Sequence, residues 1–303
     1  SALAQDHGLA LMAAGTHPLG EWREQAPTDK PRYRRLVEDF QIVARRSQVC
    51  GLHVHVQLPD GVDRVQVMNR AMPWLPLLLA LSTSSPFWDR WNTGLMSYRQ
   101  AMYDEWPRTG IPDFFANEAE YDAFAAVLQR AGAISDARSL WWAIRPSPSF
   151  PTVELRIADA CTHLEDSLAI ATLYRCLMRH LAERPAESPP CNAATRRIID
   201  ENRWRAKRFG LQADFIDEQG NTEPALAQLQ RLRELCAEDA RQLDCAQALS
   251  GLDAIVERGT SAHAQLALYR EQRDRGASRP AALKSVVDWL LQTTVPADPA
   301  DTD

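Results

Sequence analysis

Five side chains of the types that do phosphoryl and acyl chemistry fall into three short runs of this 303-residue sequence. His53 and His55 lie two apart in residues 50–58, Glu154 and Arg156 lie two apart in residues 152–158, and Arg145 ends the run 139–145. A carboxylate beside an imidazole can ligate Mg²⁺ or Mn²⁺. A pair of guanidinium groups can hold a transferring phosphoryl group and a substrate carboxylate. H-x-H alone equally describes a half-exposed sheet whose polar face meets water. A matching E-x-R strand tilts the balance towards a site.

What must position these groups is a sheet. Side chains alternate across a strand, so His53 and His55 share a face with Gly51 and Gln57, while Leu52, Val54, Val56 and Leu58 take the other. Val153, Leu155 and Ile157 likewise oppose Glu154 and Arg156, and Arg145 shares a face with Trp141 and Ala143. If the three strands form one sheet backed by helices, His53, His55, Glu154, Arg156 and Arg145 converge on its open face. Helical periodicity marks residues 33–48, with Leu36, Val37, Phe40, Val43 and Ala44 on one side, and 64–82 despite two prolines. Asn117 is placed to cap a helix running to about 131. From 164 onward the chain reads as helices at 164–183, 193–209, 223–249, 261–274 and 281–291. Residues 84–114, rich in Pro, Trp, Gly and Asn, read as a long irregular segment. The fold class expected is α+β, an antiparallel sheet with helices on one face and a helical C-terminal half. Residues 1–303 read as a single catalytic domain with a flexible tail at 295–303.

Composition narrows the function classes. Thirty-four basic against 40 acidic residues give a net charge of −6, which argues against non-specific nucleic-acid binding. Only three of the basic residues are lysines, so almost all the positive charge is guanidinium, the better bidentate partner for carboxylate and phosphate. Six cysteines without a C-x-x-C pair read as reduced thiols, and the longest apolar run, 72–81, is too short to cross a bilayer. A cytoplasmic protein with no membrane association is expected. The sequence holds no P-loop, G-x-G-x-x-G, G-x-S-x-G or H-E-x-x-H. Any ATP must therefore be held by a sheet surface.

Further candidates lie outside the strands. His17 sits in the turn Gly15-Thr16-His17-Pro18, and Arg99 and Arg108 lie in the irregular segment, where each can clamp an anion or be a surface charge. Residues 201–210 form a basic helix end, where Asn202 and Arg205 are candidate substrate or nucleotide contacts and a solvated face is the competing reading. His163, His180 and His263 read as structural.

Taken in order, Gly15-Thr16-His17-Pro18, Cys50-Gly51-Leu52-His53-Val54-His55-Val56, Ser84-Ser85-Pro86-Phe87-Trp88, Pro107-Arg108-Thr109-Gly110, Arg145-Pro146-Ser147-Pro148, Thr152-Val153-Glu154-Leu155-Arg156 and Glu201-Asn202-Arg203-Trp204 resemble the bacterial carboxylate–amine ligases of the type 2 glutamate–cysteine ligase family. The resemblance implies a glutamine-synthetase-like catalytic fold. It implies ATP and Mg²⁺ (or Mn²⁺) as cofactors, and amide formation through an acyl phosphate, usually on the γ-carboxylate of glutamate with an amine such as cysteine. It implies His53 and Glu154 as metal ligands, His55 near nucleotide or substrate, and Arg156 on phosphate or substrate. Arg145 would neutralise the transferred phosphoryl group, and a homodimer is possible. Two features depart from the pattern. Gln57 stands where the family usually has Gly, and the glutamate-bearing strand that opens the family's domain has no counterpart, so the sequence is expected to lack an N-terminal segment. A non-catalytic nucleotide- or amino-acid-binding protein of the same fold is the alternative, and a metal-dependent hydrolase would need further His and Asp ligands that the sequence does not offer.

Overall fold

The polar face forms, but on strands shorter than the runs 50–58, 139–145 and 152–158: only 54–57, 144–146 and 152–155 pair, and residues 137–139 make a 3₁₀ turn where the third strand is expected to begin. The computed structural model describes residues 2–26, 28–187 and 190–296. Its strands are β1 (Val54–Gln57), β2 (Phe87–Trp88), β3 (Trp91–Asn92), β4 (Ile144–Pro146), β5 (Thr152–Leu155), β6 (Asp214–Ile216) and β7 (Thr222–Pro224). Strands β1, β5 and β4 make an antiparallel sheet in that order; β2–β3 and β6–β7 are separate two-stranded hairpins. In the register, His55 stands opposite Glu154 on one side and Arg145 opposite Glu154 on the other. All three therefore point the same way across the pleat.

Helices cover the opposite face. Ahead of the sheet run α1 (Ala2–Asp6), α2 (Pro31–Phe40) and α3 (Ile42–Arg46); α4 (Arg64–Ala71) and α5 (Leu75–Ser82) follow β1. Asp63 caps α4 by accepting hydrogen bonds from the Val65 and Gln66 amides. Pro73 falls in the 3₁₀ turn Met72–Trp74, and Pro76 in the first turn of α5, where a missing N–H costs nothing. Every residue of α5 is buried. With α6 (Tyr98–Tyr103) and α7 (Glu118–Arg130) the chain returns to β4 and β5, and α8 (Leu164–Glu183) then lies behind the sheet beside α4. Val153, Leu155 and Ile144 of the sheet, Val65 and Met68 of α4, and Ile170, Leu173, Tyr174 and Leu177 of α8 join one apolar core. The fold is α+β.

The remaining helices are α9 (Ala193–Phe209), α10 (Ala225–Leu235), α11 (Ala237–Gln242), α12 (Ala246–Leu249), α13 (Gly251–Arg258), α14 (Ser261–Asp274) and α15 (Arg279–Thr294). Helices α8, α9 and α14 match their expected limits, and Asn117 caps α7 as expected. Elsewhere local chemistry overrides the pattern. The single helix expected at 33–48 breaks at Gln41, whose φ is 50° and whose side-chain amide donates to the Glu38 carbonyl. The segment 84–114 contains the β2–β3 hairpin and α6, so Arg99 stands on a helix rather than in a loop. The helix expected at 223–249 is cut into three and preceded by the β6–β7 hairpin. Asp217, accepting from the Gln219 and Asn221 amides, closes that hairpin with Gly220 at a φ of 85°. Of the tail expected at 295–303, residues 297–303 lie outside the described residues.

Candidate active site

Glu154 is the centre of the polar face. The carboxylate is only 4% exposed. Arg145 Nε donates to its Oε2 at 2.8 Å, and Arg156 Nη1 donates to its Oε1 at 2.5 Å. His53 Nδ1 lies 3.2 Å and His55 Nε2 3.6 Å from the same Oε1. All five side chains expected to converge are thus in contact around one carboxylate. Burial alone would raise the Glu154 pKa. The His53 hydrogen bond and the Arg156 and Arg145 charges outweigh that and hold it well below the usual carboxylate range. His53 moves down as well, because burial and the neighbouring Arg156 charge disfavour the imidazolium more than Glu154 favours it.

Arg145, His55 and Arg156 are each fixed by a partner outside the cluster or beside it. Arg145 Nη1 donates to the Arg138 and Leu140 carbonyls at 2.8 and 2.7 Å. His55 Nδ1 is 2.9 Å from Thr152 Oγ1. Arg156 Nη2 donates to the Tyr103 hydroxyl at 3.0 Å. Tyr103 is in turn placed by α9, since Arg203 and Lys207 both pair with the adjacent Asp104. Arg203 and Lys207 are buried, so this side of 201–210 is an anchor, not a solvated face. Nothing in the sequence pattern marks Tyr103.

Behind the cluster a second polar group ties the motifs together. Asp159, wholly buried, accepts from the Ser84 amide at 3.1 Å, Ser85 Oγ at 2.7 Å and Ser97 Oγ at 2.8 Å. Arg99 Nη1 lies 3.7 Å from it and donates to the Ile157 carbonyl, while Arg99 Nη2 donates to the Arg156 carbonyl, each at 3.1 Å. Arg99 is therefore an interior brace beneath Arg156 and presents no free anion clamp at the surface. Its guanidinium occupies the space of an absent side chain at Gly51, where a Cβ would stand 2.2 Å from Nη2. The Gly51 position on the histidine face has this physical reason.

Other expected contacts lie apart from the cluster. Asn202 exchanges two 2.8 Å hydrogen bonds with the backbone of Ile216, and Arg205 pairs with Glu201 and the Asp214 carbonyl, so both serve the β6–β7 hairpin. His17 accepts from the Leu19 amide and borders a cavity of about 800 Å³ between the 17–28 segment and α2–α3. Arg108 has a φ of 59° and borders a second cavity on the other side of α2. Phe40, Trp106 and Trp141, with ring centroids 5.1–5.6 Å apart, separate the two.

The residues present do not make a magnesium centre by themselves. Hard divalent cations favour several oxygen ligands. Here the single carboxylate of the cluster has both oxygens engaged by cations, and the described residues include no group of three His, Cys, Asp or Glu placed to hold a metal ion. The pair expected as metal ligands, His53 and Glu154, is instead an imidazole–carboxylate contact within an arginine clamp. One carboxylate against two arginines leaves the cluster cationic, suited to an anion. No helix among the described residues is long and apolar enough to cross a membrane.

Comparison with known proteins identifies the family. A family model described as glutamate-cysteine ligase family 2 matches residues 1–284. A protein of Ectopseudomonas mendocina provisionally named glutamate–cysteine ligase 2 is 48% identical over 298 residues, covering 96% of this chain and 77% of that protein. One of Bradyrhizobium diazoefficiens with the same provisional name is 44% identical over 293 residues, 97% of this chain and 67% of that protein. Among solved structures, a bifunctional glutathione synthetase from Pasteurella multocida shares the fold over 94% of this chain and 42% of its own, with a TM-score of 0.62 at 14% identity. The motif order, the clustered strand residues and a family match spanning nearly the whole sequence lead to one assignment: the chain belongs to glutamate–cysteine ligase family 2, a family of ligase enzymes.

Proposed function

We propose that this chain joins a carboxylate to an amine at the expense of ATP, with the γ-carboxylate of glutamate as donor and an amine such as cysteine as acceptor. The carboxylate oxygen attacks the γ-phosphorus of ATP and ADP leaves. The amine nitrogen then attacks the acyl carbon, phosphate leaves, and the nitrogen gives up a proton. The observation that carries the reading is the cationic cluster of Arg145, Arg156, His53 and His55 around Glu154 in a chain of this family.

In this reading Arg145 and Arg156 hold the anionic groups and stabilise charge that builds on the transferred phosphoryl group. Glu154 keeps both guanidinium groups in place; buried arginines without it would repel each other. With Nδ1–H of His53 directed at Glu154, Nε2 carries the lone pair. The lowered pKa keeps that imidazole neutral and able to take the proton the amine releases. Substrate or nucleotide contacts at His55 belong to the same face. The setting is cytoplasmic and the partners are small molecules.

Hydroxylamine traps an activated carboxyl group whatever the natural amine. Incubating the chain with glutamate, hydroxylamine and Mg-ATP is expected to give glutamyl hydroxamate. Its rate should fall at least tenfold in Arg145→Gln and in Arg156→Gln, each checked for folding by circular dichroism. Folded protein that yields no hydroxamate, or variants that match the parent chain, would overturn the reading.

A further inference from the structure

Six free thiols are spread through the chain, and two of them meet. The Sγ atoms of Cys176, within α8, and of Cys245, in the turn between α11 and α12, lie 3.6 Å apart across a sequence separation of 69 residues. Cys176 is wholly buried, whereas Cys245 is half-buried with exposed Asp244 and Ala246 on either side. The pair therefore joins one thiol that a small molecule can reach to one that it cannot. Cys245 is also held in place. Its amide donates to the Ala240 carbonyl at 3.0 Å, its carbonyl accepts from the Ala248 amide at 3.1 Å, and Asp244, at a φ of 50°, turns the chain into it.

The two thiols are suited to act in order. Burial pushes the Cys176 thiol well above its ordinary range, and the adjoining Cys245 sulfur adds to the rise because two thiolates in contact repel. That second contribution disappears once Cys245 carries a neutral substituent, so capping the outer thiol readies the inner one. Cys236, directly after α10, is a third buried thiol, pushed up to about 12 by burial, and it makes no sulfur contact among the described residues.

We infer that Cys176 and Cys245 are a modification site, at which exchange with a small-molecule disulfide forms a reversible bond tying α8 to the α11–α12 turn. The Cys245 thiolate attacks one sulfur of the small disulfide, whose S–S bond breaks, and one thiolate leaves. The Cys176 thiolate then attacks the Cys245 sulfur of this mixed disulfide, and the second small thiolate leaves. The protein loses two thiol protons and two electrons; the reagent takes up both and departs as two thiols. A disulfide is about 2.05 Å long, and rotation about the Cα–Cβ bond of Cys245 brings its sulfur the remaining way. The closed loop contains α9 and α10, and α9 anchors Asp104 through Arg203 and Lys207, so the tie reaches the helix that places Tyr103. Closing so long a loop restricts the unfolded chain and stabilises the folded one. The pair lies in the helical layer behind the sheet, and the inference does not depend on the ligase reading.

Treatment of the folded 303-residue chain with cystamine, followed by tryptic digestion without reductant and mass spectrometry, tests it. Trypsin cuts after Arg175, Arg179, Arg241 and Arg258, so the bond is expected to appear as fragment 176–179 joined to fragment 242–258, and to vanish with dithiothreitol. In Cys176→Ala the reagent should stay trapped as a mixed disulfide on Cys245. In Cys245→Ser, whose half-exposed position leaves folding intact, Cys176 should remain unmodified. The oxidised parent chain should melt several degrees above the reduced one. A folded chain that yields no such fragment pair, a bond from Cys176 to Cys236 instead, or cystamine adducts on Cys176 in Cys245→Ser would overturn the inference. So would a pair that links only in urea, since the folded contact would then play no part, or an oxidised chain that melts no higher than the reduced one.

Discussion

Glu154 and Asp159 lie five residues apart in one run of chain, both are buried, and both face arginine, yet they are held in opposite ways. Glu154 takes direct guanidinium hydrogen bonds on both oxygens, and its pKa falls. Asp159 takes two hydroxyls and an amide, with its arginine at 3.7 Å and that arginine's donors directed to carbonyls, and its pKa rises because burial outweighs those partners. The difference is one of position. Glu154 stands on the polar face, bordered by half-exposed histidines, where charge is accessible to a ligand. Asp159 continues the apolar parity of Val153, Leu155 and Ile157 and is a rivet between segments. A buried acid ringed by guanidinium groups is prepared to share them with an anion; one ringed by hydroxyls holds a fold together.

Removing each acid should expose that difference. Glu154→Ala leaves Arg145 and Arg156 buried without a counter-charge, a loss of about 3–5 kcal/mol. Asp159→Asn keeps an acceptor for the Ser84 amide, and the Ser85 and Ser97 hydroxyls can turn to meet the new amide, so the loss should stay within about 1–3 kcal/mol. Urea unfolding of the three chains measures both. Equal losses would mean that the two sites are held by the same kind of interaction.

Gly51→Ala strikes the brace that connects the two acids. The clashing atoms belong to the flexible end of Arg99, which would ordinarily swing aside. Here Arg99 is 1% exposed and bonded to the Arg156 and Ile157 carbonyls, so it cannot move without losing them. A destabilisation of about 1–3 kcal/mol is expected, with a drop in any activity that depends on Arg156. A variant as stable as the parent would show that the guanidinium has room elsewhere.

The two acids should also diverge with pH. Glu154 has a folded pKa below its ordinary 4.5, so its stabilisation is present above that value and is lost as pH falls. Asp159 has a folded pKa above its ordinary 3.8, so its relative stability is greatest when protonated and declines as pH rises through the folded value. In thermal melts from pH 6 to pH 3, the gap between parent and Glu154→Gln should shrink while that between parent and Asp159→Asn widens. Gaps that move together would remove the distinction.

The polar face was legible because period-2 alternation is local: His55 and Glu154 declare their side of a strand, His53 and Arg156 keep the same parity one residue beyond the strand ends, and Arg145 follows once the strands pair. The partners that fix them were not. Asp159 sits at a core-facing position, a signal that a buried polar network must receive it, but Ser84, Ser85 and Ser97 are over sixty residues away in sequence. The break at Gln41 and the three-residue strands of the β6–β7 hairpin depend on single backbone and side-chain bonds that no periodicity carries. Asn202 and Arg205 show the converse: polar residues on a basic helix resemble ligand contacts until a hairpin outside the pattern is found to use them.

Tyr103 gives the smallest and most selective test. Its hydroxyl accepts from Arg156 Nη2, its ring lies 5.2 Å from the Arg99 guanidinium, and it therefore touches both arginine layers. Tyr103→Phe keeps the ring and its packing and removes one half-buried hydrogen bond, so stability should fall by only about 0.5–1.5 kcal/mol. Arg156 then loses a fixed direction while retaining Glu154. If Arg156 acts on a transferring group, hydroxamate formation should fall several-fold with little change in the glutamate concentration for half-maximal rate. A fall in apparent glutamate affinity at unchanged maximal rate would instead make Arg156 a binding contact. A variant altered in stability alone would place Tyr103 with Asp159, among the groups that hold the fold.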